Sequence, residues 1–370
     1  MDNTVVIFSL LNWESKLLHR SHMLAKYFHL HGHKVFYVQK ELSGIGAKNF
    51  RARSYGDNGI NVVSLSALPY MKGKLKSVYS FNDWIMTKQL RAFFKLLKQP
   101  LIILESPYWI RAVNESRDNK GILCYDISDD FIQFATNDKW KKILTHYEKE
   151  TINQVDYIFI TAEELRKKAS HRERDVFLVE NGIDLKEFEK AANVLSKGFK
   201  RPICGFIGGL FQWVDFDLVE KLATNYPDYS FVLIGPTDQP EQLEKLSKKS
   251  NIYYLGEKDK SVIGDYFASL DVGLIPFVSE ERYPRLRTVN SNKVFQYCYF
   301  GYPVLSTEFG QVNELKDIIE VCHGQEEFIK ALAGISLDTE RQRQKRRAFA
   351  LNNSWAKRVE DILKIAGKFS

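Results

Sequence analysis

Between Asp271 and Thr307 the chain reads DVGLIPFVSEERYPRLRTVNSNKVFQYCYFGYPVLST, an order of residues suited to holding an anion. An apolar run stops at Pro276 and gives way to a loop with Arg282, Arg285 and Arg287. A helix-period stretch carrying Lys293 and Gln296 follows, then Gly301, Pro303 and a second apolar run. A strand that hands over to a basic loop places cations at the carboxyl edge of a sheet, where open α/β folds bind ligands. A helix beginning near Asn290 would aim its free N–H groups at that edge, so a phosphate would meet a positive helix terminus and a lysine together. Lys293 and Gln296, three apart, share a helix face and can reach one group. A solvated loop followed by an ordinary surface helix is the alternative.

A second constellation lies in CYDISDDF, where Asp126, Asp129 and Asp130 follow an apolar run. Three carboxylates within five residues repel one another, which raises at least one pKa towards values useful for a general base. Asp129 is the first candidate, Asp130 and Asp126 the others; the competing reading is an N-cap cluster for a helix starting at Phe131. Gly208-Gly209 directly follows the run ICGFI, and paired glycines at a strand end let a backbone approach a ligand closely. A tight turn without a ligand has the same sequence. Asp215-Phe-Asp217 has the spacing of a metal-binding pair, but at a helix start N-capping explains it better, and no metal or other cofactor is expected. No P-loop, GxGxxG, HExxH or GxSxG pattern is present.

The elements that must position these groups alternate along the whole chain. The runs VVIF, KVFYV, NVVSL, LIIL, ILCY, YIFI and VFLV, then ICGFI, FVLIG, IYYLG, VGLIP and PVLS, are separated by helix-period stretches. That alternation predicts an α/β protein with parallel sheets flanked by helices. The pattern resets after VFLVENGIDLKEF, where Asn181-Gly182 marks a turn, so residues 1–184 and 185–352 are expected as two domains. A length of 370 residues also exceeds what one core usually supports.

The net charge of +7 is uneven: residues 1–185 hold 27 Lys+Arg against 21 Asp+Glu, and the remainder 26 against 25. Within the basic half, Met86, Leu90, Phe93 and Leu97 oppose Lys88, Arg91, Lys95 and Lys98 on two faces of one helix. The bland reading is a core-packed helix with a wet back; the sharper one is contact with an anionic membrane surface. His19, Arg20 and His22, just after the first strand, are candidates for touching an acceptor or a phosphate, with a surface helix as the alternative. No apolar run is long enough to span a bilayer, and an acid stands where a signal peptide would be basic, so a cytoplasmic location is expected. Cys124, Cys204, Cys298 and Cys322 are far apart, as in reduced, buried thiols. No nucleic-acid-binding module accompanies the basic half.

Taken in order, VENGIDLKEF, FIGGLFQWVDFDLVEKLA, FVLIGP, NIYYLGEKD, DVGLIPF, NKVFQYCYFGYPVLST and NNSWAKRVEDILKI resemble the GT-B glycosyltransferases. The opening FSLLNWESKLLHRSHMLAKYFHLHGHKVFYV and YDISDDF resemble bacterial surface-polysaccharide transferases of the teichuronic acid type. The resemblance implies two Rossmann-like domains facing a central cleft, with the last helix, residues 353–370, packing back on the first. It also implies a nucleotide-sugar donor, a base in the YDISDDF stretch, and nucleobase contacts near Glu257 and Lys258. Retaining members usually have a Glu where this chain has Gln296, paired with another where it has Thr288. Lys293 followed by Gln296 instead is similar to the xanthan glucuronosyltransferase, an inverting enzyme. The implied activity is metal-independent transfer, inverting, from a UDP-linked sugar to a lipid-linked or surface-glycan acceptor. Candidates for gripping the diphosphate are Gly208, Gly209, Arg285, Arg287, Asn290, Lys293 and Gln296. The arginines also suit a sugar carboxylate, which makes UDP-glucuronate a possible donor. A nucleotide-sugar 2-epimerase of the same architecture, and a non-catalytic binding partner, are the alternatives.

Overall fold

The structure is a computed structural model that describes residues 3–15, 19–41, 51–55, 59–69, 76–118, 121–195 and 197–367. Residues 71–75 of the basic stretch and 368–370 of the terminal helix therefore lie outside the described residues. The chain divides into two units, Met1–Glu180 with Trp355–Ser370, and Asn181–Ser354.

The first unit is built on β1 (Thr4–Phe8), β2 (Lys34–Glu41), β3 (Arg51–Tyr55), β4 (Ile60–Ser66), β5 (Leu101–Leu104), β6 (Ile122–Ile127), β7 (Tyr157–Ile160) and β8 (Val176–Leu178). Their order is β3-β4-β2-β1-β5-β6-β7-β8. Every described pairing is parallel except β3 on β4. The central strands read as unbroken apolar runs because both faces are covered, and β1 and β5 are buried at every residue. On one face the helix Lys76–Phe94 buries Met86, Leu90 and Phe93 against Phe8, Leu104 and Trp109, with Leu97 beyond its end in the same core. On the other, the helices Arg20–Leu30 and Trp355–Ile365 pack Leu24, Phe28, Val359 and Ile362 against Val5, Ile7 and Ile103.

The second unit carries β9 (Ile203–Ile207), β10 (Ser230–Ile234), β11 (Ile252–Tyr254), β12 (Val272–Ile275), β13 (Val304–Thr307) and β14 (Glu320–Cys322), ordered β11-β10-β9-β12-β13-β14 and all parallel. All four cysteines are buried free thiols, and burial pushes the thiol of each upward.

The division falls four residues before the expected 184/185 boundary, for a local reason. Arg20 Nη1 donates to the Glu180 carbonyl at 2.9 Å, whereas the next residue, Asn181, bonds to Asn290 and Ile183 N donates to the Asn353 carbonyl at 3.0 Å. The terminal helix accordingly starts at Trp355 rather than 353. Sheet order reverses between β1 and β5 in the first unit and between β9 and β12 in the second. Those two places, at the carboxyl ends of the strands, are where this architecture leaves room for ligands.

Candidate functional site

In the second unit the helix Asn292–Phe300 is fixed over its switch point by Tyr297. The Tyr297 hydroxyl accepts from Ile207 N at 3.0 Å and donates to the Gly205 carbonyl at 3.2 Å, clamping the helix to β9. Gly301, at φ +80°, ends the helix in the left-handed cap that glycine favours. Val294, Phe295, Tyr297 and Cys298 form its buried face, leaving Lys293 and Gln296 half-buried.

Lys293 extends across the end of β9. A Cβ built on Gly208 would lie 2.5 Å from the Lys293 ammonium, and one on Gly235 only 2.1 Å from the Gly208 carbonyl oxygen. Both glycines are therefore demanded by close approach, and both sit at positive φ (+149° and +140°). The ammonium lies 5.1 Å from the Phe206 ring and 5.9 Å from that of Phe277, and no ion pair among the described residues includes it. Burial without a counter-charge pulls its pKa down from 10.5 to about 8.

The helix terminus beside it is open. Ser291 is the N-cap residue, yet its hydroxyl does not cap the first turn. Its backbone N–H donates to Gln311 Oε1 at 2.6 Å, and Gln311 Nε2 is buried without an acceptor. A buried orphan donor costs about 1–3 kcal/mol, which a ligand oxygen would recover. Sequence reading missed Gln311 because no motif marks it; the turn Gly310–Glu314 after β13 was the available signal.

Other expected donor residues have varied fates. Asn290 does not open the helix, which begins two residues later; its Oδ1 accepts from Asn181 N at 2.8 Å and its carbonyl from Asn181 Nδ2 at 2.9 Å. Gly209 lies against the Phe211 ring. Arg287 pairs with Glu280 at 3.2 Å and Arg285 sits 6.0 Å from the centre of the Tyr283 ring, while Arg282 is exposed. Glu257 is exposed and Lys258 stands 5.5 Å from the Tyr266 ring. Their loop approaches the glycine turn through the Gly256 carbonyl, which accepts from Gly235 N at 3.0 Å. Asp215 caps the helix Phe216–Asn225 by accepting from Leu218 N, and its other oxygen accepts from Gln325.

In the first unit Asp126 is locked. Arg20 Nε reaches its Oδ2 at 2.8 Å and Arg20 Nη2 its Oδ1 at 2.9 Å, with the guanidinium also over Trp355. Arg20 and His22 are buried, His22 against Trp13 and Tyr37, so the surface-helix alternative does not describe them. His19 is half-buried, and desolvation lowers its pKa. Asp130 caps the short turn Phe131–Phe134 and pairs with Lys168 at 2.6 Å, so the capping account holds for it, on a turn rather than a full helix. Asp129 is half-buried and accepts from Asp130 N at 2.9 Å. Lys88, Arg91 and Lys95 are exposed.

At the switch point of the first unit stands a group that the sequence did not flag. Glu105 follows β5 and accepts from the Ser9 hydroxyl at the end of β1. Burial raises its carboxyl from 4.5 to about 7, against the lowering effect of Ser9. Since the folded-state value is the higher one, ionisation opposes folding; the cost is absent below pH 4.5 and is complete above about 7. Glu105→Gln should leave stability near pH 4.5 almost unchanged and raise it at pH 8 by on the order of 2–3 kcal/mol in urea denaturation.

No family model matches the chain. A Bacillus subtilis (strain 168) protein, provisionally named teichuronic acid biosynthesis glycosyltransferase TuaH, is 24% identical over 243 residues, 61% of this chain. The match spans 60% of the length of that relative. Among solved structures, one described as trehalose-6-phosphate from E. coli bound with UDP-2-fluoro glucose superimposes with a TM-score of 0.69 at 14% identity, covering 99% of both chains. Sucrose-phosphate synthase from Thermosynechococcus elongatus gives 0.66 at 14% identity over 99% of this chain and 96% of its own. Anabaena HepE in complex with UDP and glucose gives 0.66 at 12% over 99% and 100%. The fold is GT-B, as the ordered motifs led one to expect.

Proposed function

We propose that the chain is a glycosyltransferase that moves a sugar from a UDP-linked donor to a lipid-linked acceptor during assembly of a bacterial surface glycan. The observation that carries this reading is the unpaired Lys293 ammonium, held at a switch point beside an uncapped helix terminus. The names of the relative and of the UDP-bound neighbours support it. Breaking the bond between the sugar and the diphosphate leaves negative charge on the departing UDP. Lys293 and the first-turn amides of Asn292–Phe300 stabilise that charge, with Gln296 and Gln311 as further donors, so in this reading the protein supplies what a metal would otherwise supply. Asp129 takes the proton of the acceptor hydroxyl, which attacks the anomeric carbon from the face opposite UDP and inverts it.

Membrane association belongs to the same reading. The exposed positions from Ser77 to Gln99 include Lys88, Arg91, Lys95 and Lys98 and no acid. Lys88 Nζ lies 3.7 Å over the ring of Trp84, itself 52% exposed, and Leu96 is 75% exposed. Each cation near an anionic leaflet contributes about 1 kcal/mol, and the aromatic and aliphatic groups suit the interface. No described helix is long and apolar enough to cross a membrane.

The test incubates purified chain with radiolabelled UDP-sugars and a bacterial membrane fraction, and measures label in extracted lipid and the anomer formed. Label in lipid is expected, reduced by charge reversal at Lys88 and Lys95. Conversion of the donor sugar to its 2-epimer without any acceptor would assign the chain to the epimerases instead.

A further inference from the structure

An open cavity of about 640 Å³ lies in the second unit at the carboxyl ends of β12, β13 and β14. One wall is Phe277, whose ring is also 5.9 Å from the Lys293 ammonium, so the cavity adjoins the proposed diphosphate position. Gln311, with its orphaned amide, stands two residues before Asn313, which lines the same cavity. The walls combine apolar surface from Phe277 and Val278 with the carboxylates of Asp215, Glu280, Glu281 and Glu308.

Cations do not balance those acids. Asp215 is occupied by capping, and Glu280 is paired with the exposed Arg287. Glu308 meets His323 Nδ1 at 2.9 Å, a pair whose negative charge is cancelled only when the imidazole is protonated. Of the arginines, Arg282 alone is on the cavity wall. Carboxylates accept hydrogen bonds from sugar hydroxyls, and an apolar wall suits the C–H face of a pyranose. A sugar carboxylate would instead meet like charge, at a cost of several kcal/mol when desolvated.

Resting on the donor reading above, we propose that this cavity seats the glycosyl group of the donor, and that its acids select an uncharged or amino sugar over a uronic acid. The arginines of the loop after β12, which had suggested glucuronate, are outweighed there by the acids around them.

Calorimetry on the full chain tests this with UDP, UDP-glucose, UDP-N-acetylglucosamine and UDP-glucuronate, in wild type and in a Glu281→Gln, Glu308→Gln double variant. UDP should bind both proteins equally. Wild type should favour at least one uncharged donor over UDP-glucuronate by about tenfold or more, and the double variant should narrow that ratio. Equal or tighter binding of UDP-glucuronate by wild type, or a ratio unmoved by the double substitution, overturns the proposal while leaving the diphosphate reading intact. Failure of UDP itself to bind overturns both.

Discussion

Lys293→Met is expected to remove most of the affinity for UDP while leaving the chain folded. The side chain crosses Gly208 and has no anionic partner among the described residues, so in the proposed reading a bound diphosphate supplies its counter-charge. Truncating one member of a desolvated charge pair costs about 2–5 kcal/mol, roughly 30-fold to several thousand-fold in dissociation constant. Methionine keeps the apolar stem against Phe206 and Phe277. The ligand-free variant should therefore melt at the same temperature as wild type or higher, because a costly buried ammonium has been removed. A thermal-shift series with and without UDP separates the two effects. The pH profile provides a further check: the free ammonium loses its proton as pH rises through about 8, so wild-type affinity for UDP should fall over that range and the variant's should not. If Lys293→Met binds UDP as wild type does, the lysine has another purpose.

The second large effect separates the acids of the YDISDDF stretch. Asp129→Asn should lower turnover by roughly two to four orders of magnitude with donor affinity unchanged, as expected when a general base is lost. Asp126→Ala should behave in the opposite way. It leaves the Arg20 guanidinium buried without its bidentate partner, a loss of about 3–5 kcal/mol in stability. Whatever fraction remains folded should keep its turnover. Stopped assays normalised to folded protein by circular dichroism distinguish these outcomes. Full turnover in Asp129→Asn would leave the base unassigned, whereas a wild-type chain that binds UDP without any turnover would favour a non-catalytic binding role.

Much of the fold could be read from local pattern because parallel strands covered on both faces must be apolar throughout. The twelve runs picked out by that rule are all strands in the structure. The two further strands failed the rule for physical reasons. β3 reads RARSY, a polar edge strand, and β14, EVC, is an edge strand that opens on the exposed Glu320. The helix with Met86, Leu90 and Phe93 inward was legible from its period, and so was Asp215 as a cap.

The site was less legible, because its partners are chosen by sheet order rather than by spacing along the chain. Arg20 and Asp126 are 106 residues apart, and Asn181 and Asn290 are 109 apart. Neither pair leaves a mark in sequence, so Arg20 read as a candidate for an acceptor or a phosphate and Asn290 as a helix start. Glu105 and Ser9 meet only because β1 and β5 are neighbours. Lys293 could be singled out as a candidate because an anion site calls for a lysine near a helix start, and that pattern is local.

The measurement that reaches the central claim most directly is a crystal structure of the chain with UDP. A β-phosphate oxygen within hydrogen-bond distance of Lys293 Nζ, with another at the first-turn amides of Asn292–Phe300, is the predicted result. UDP bound elsewhere with that ammonium still facing only the rings of Phe206 and Phe277 would contradict it.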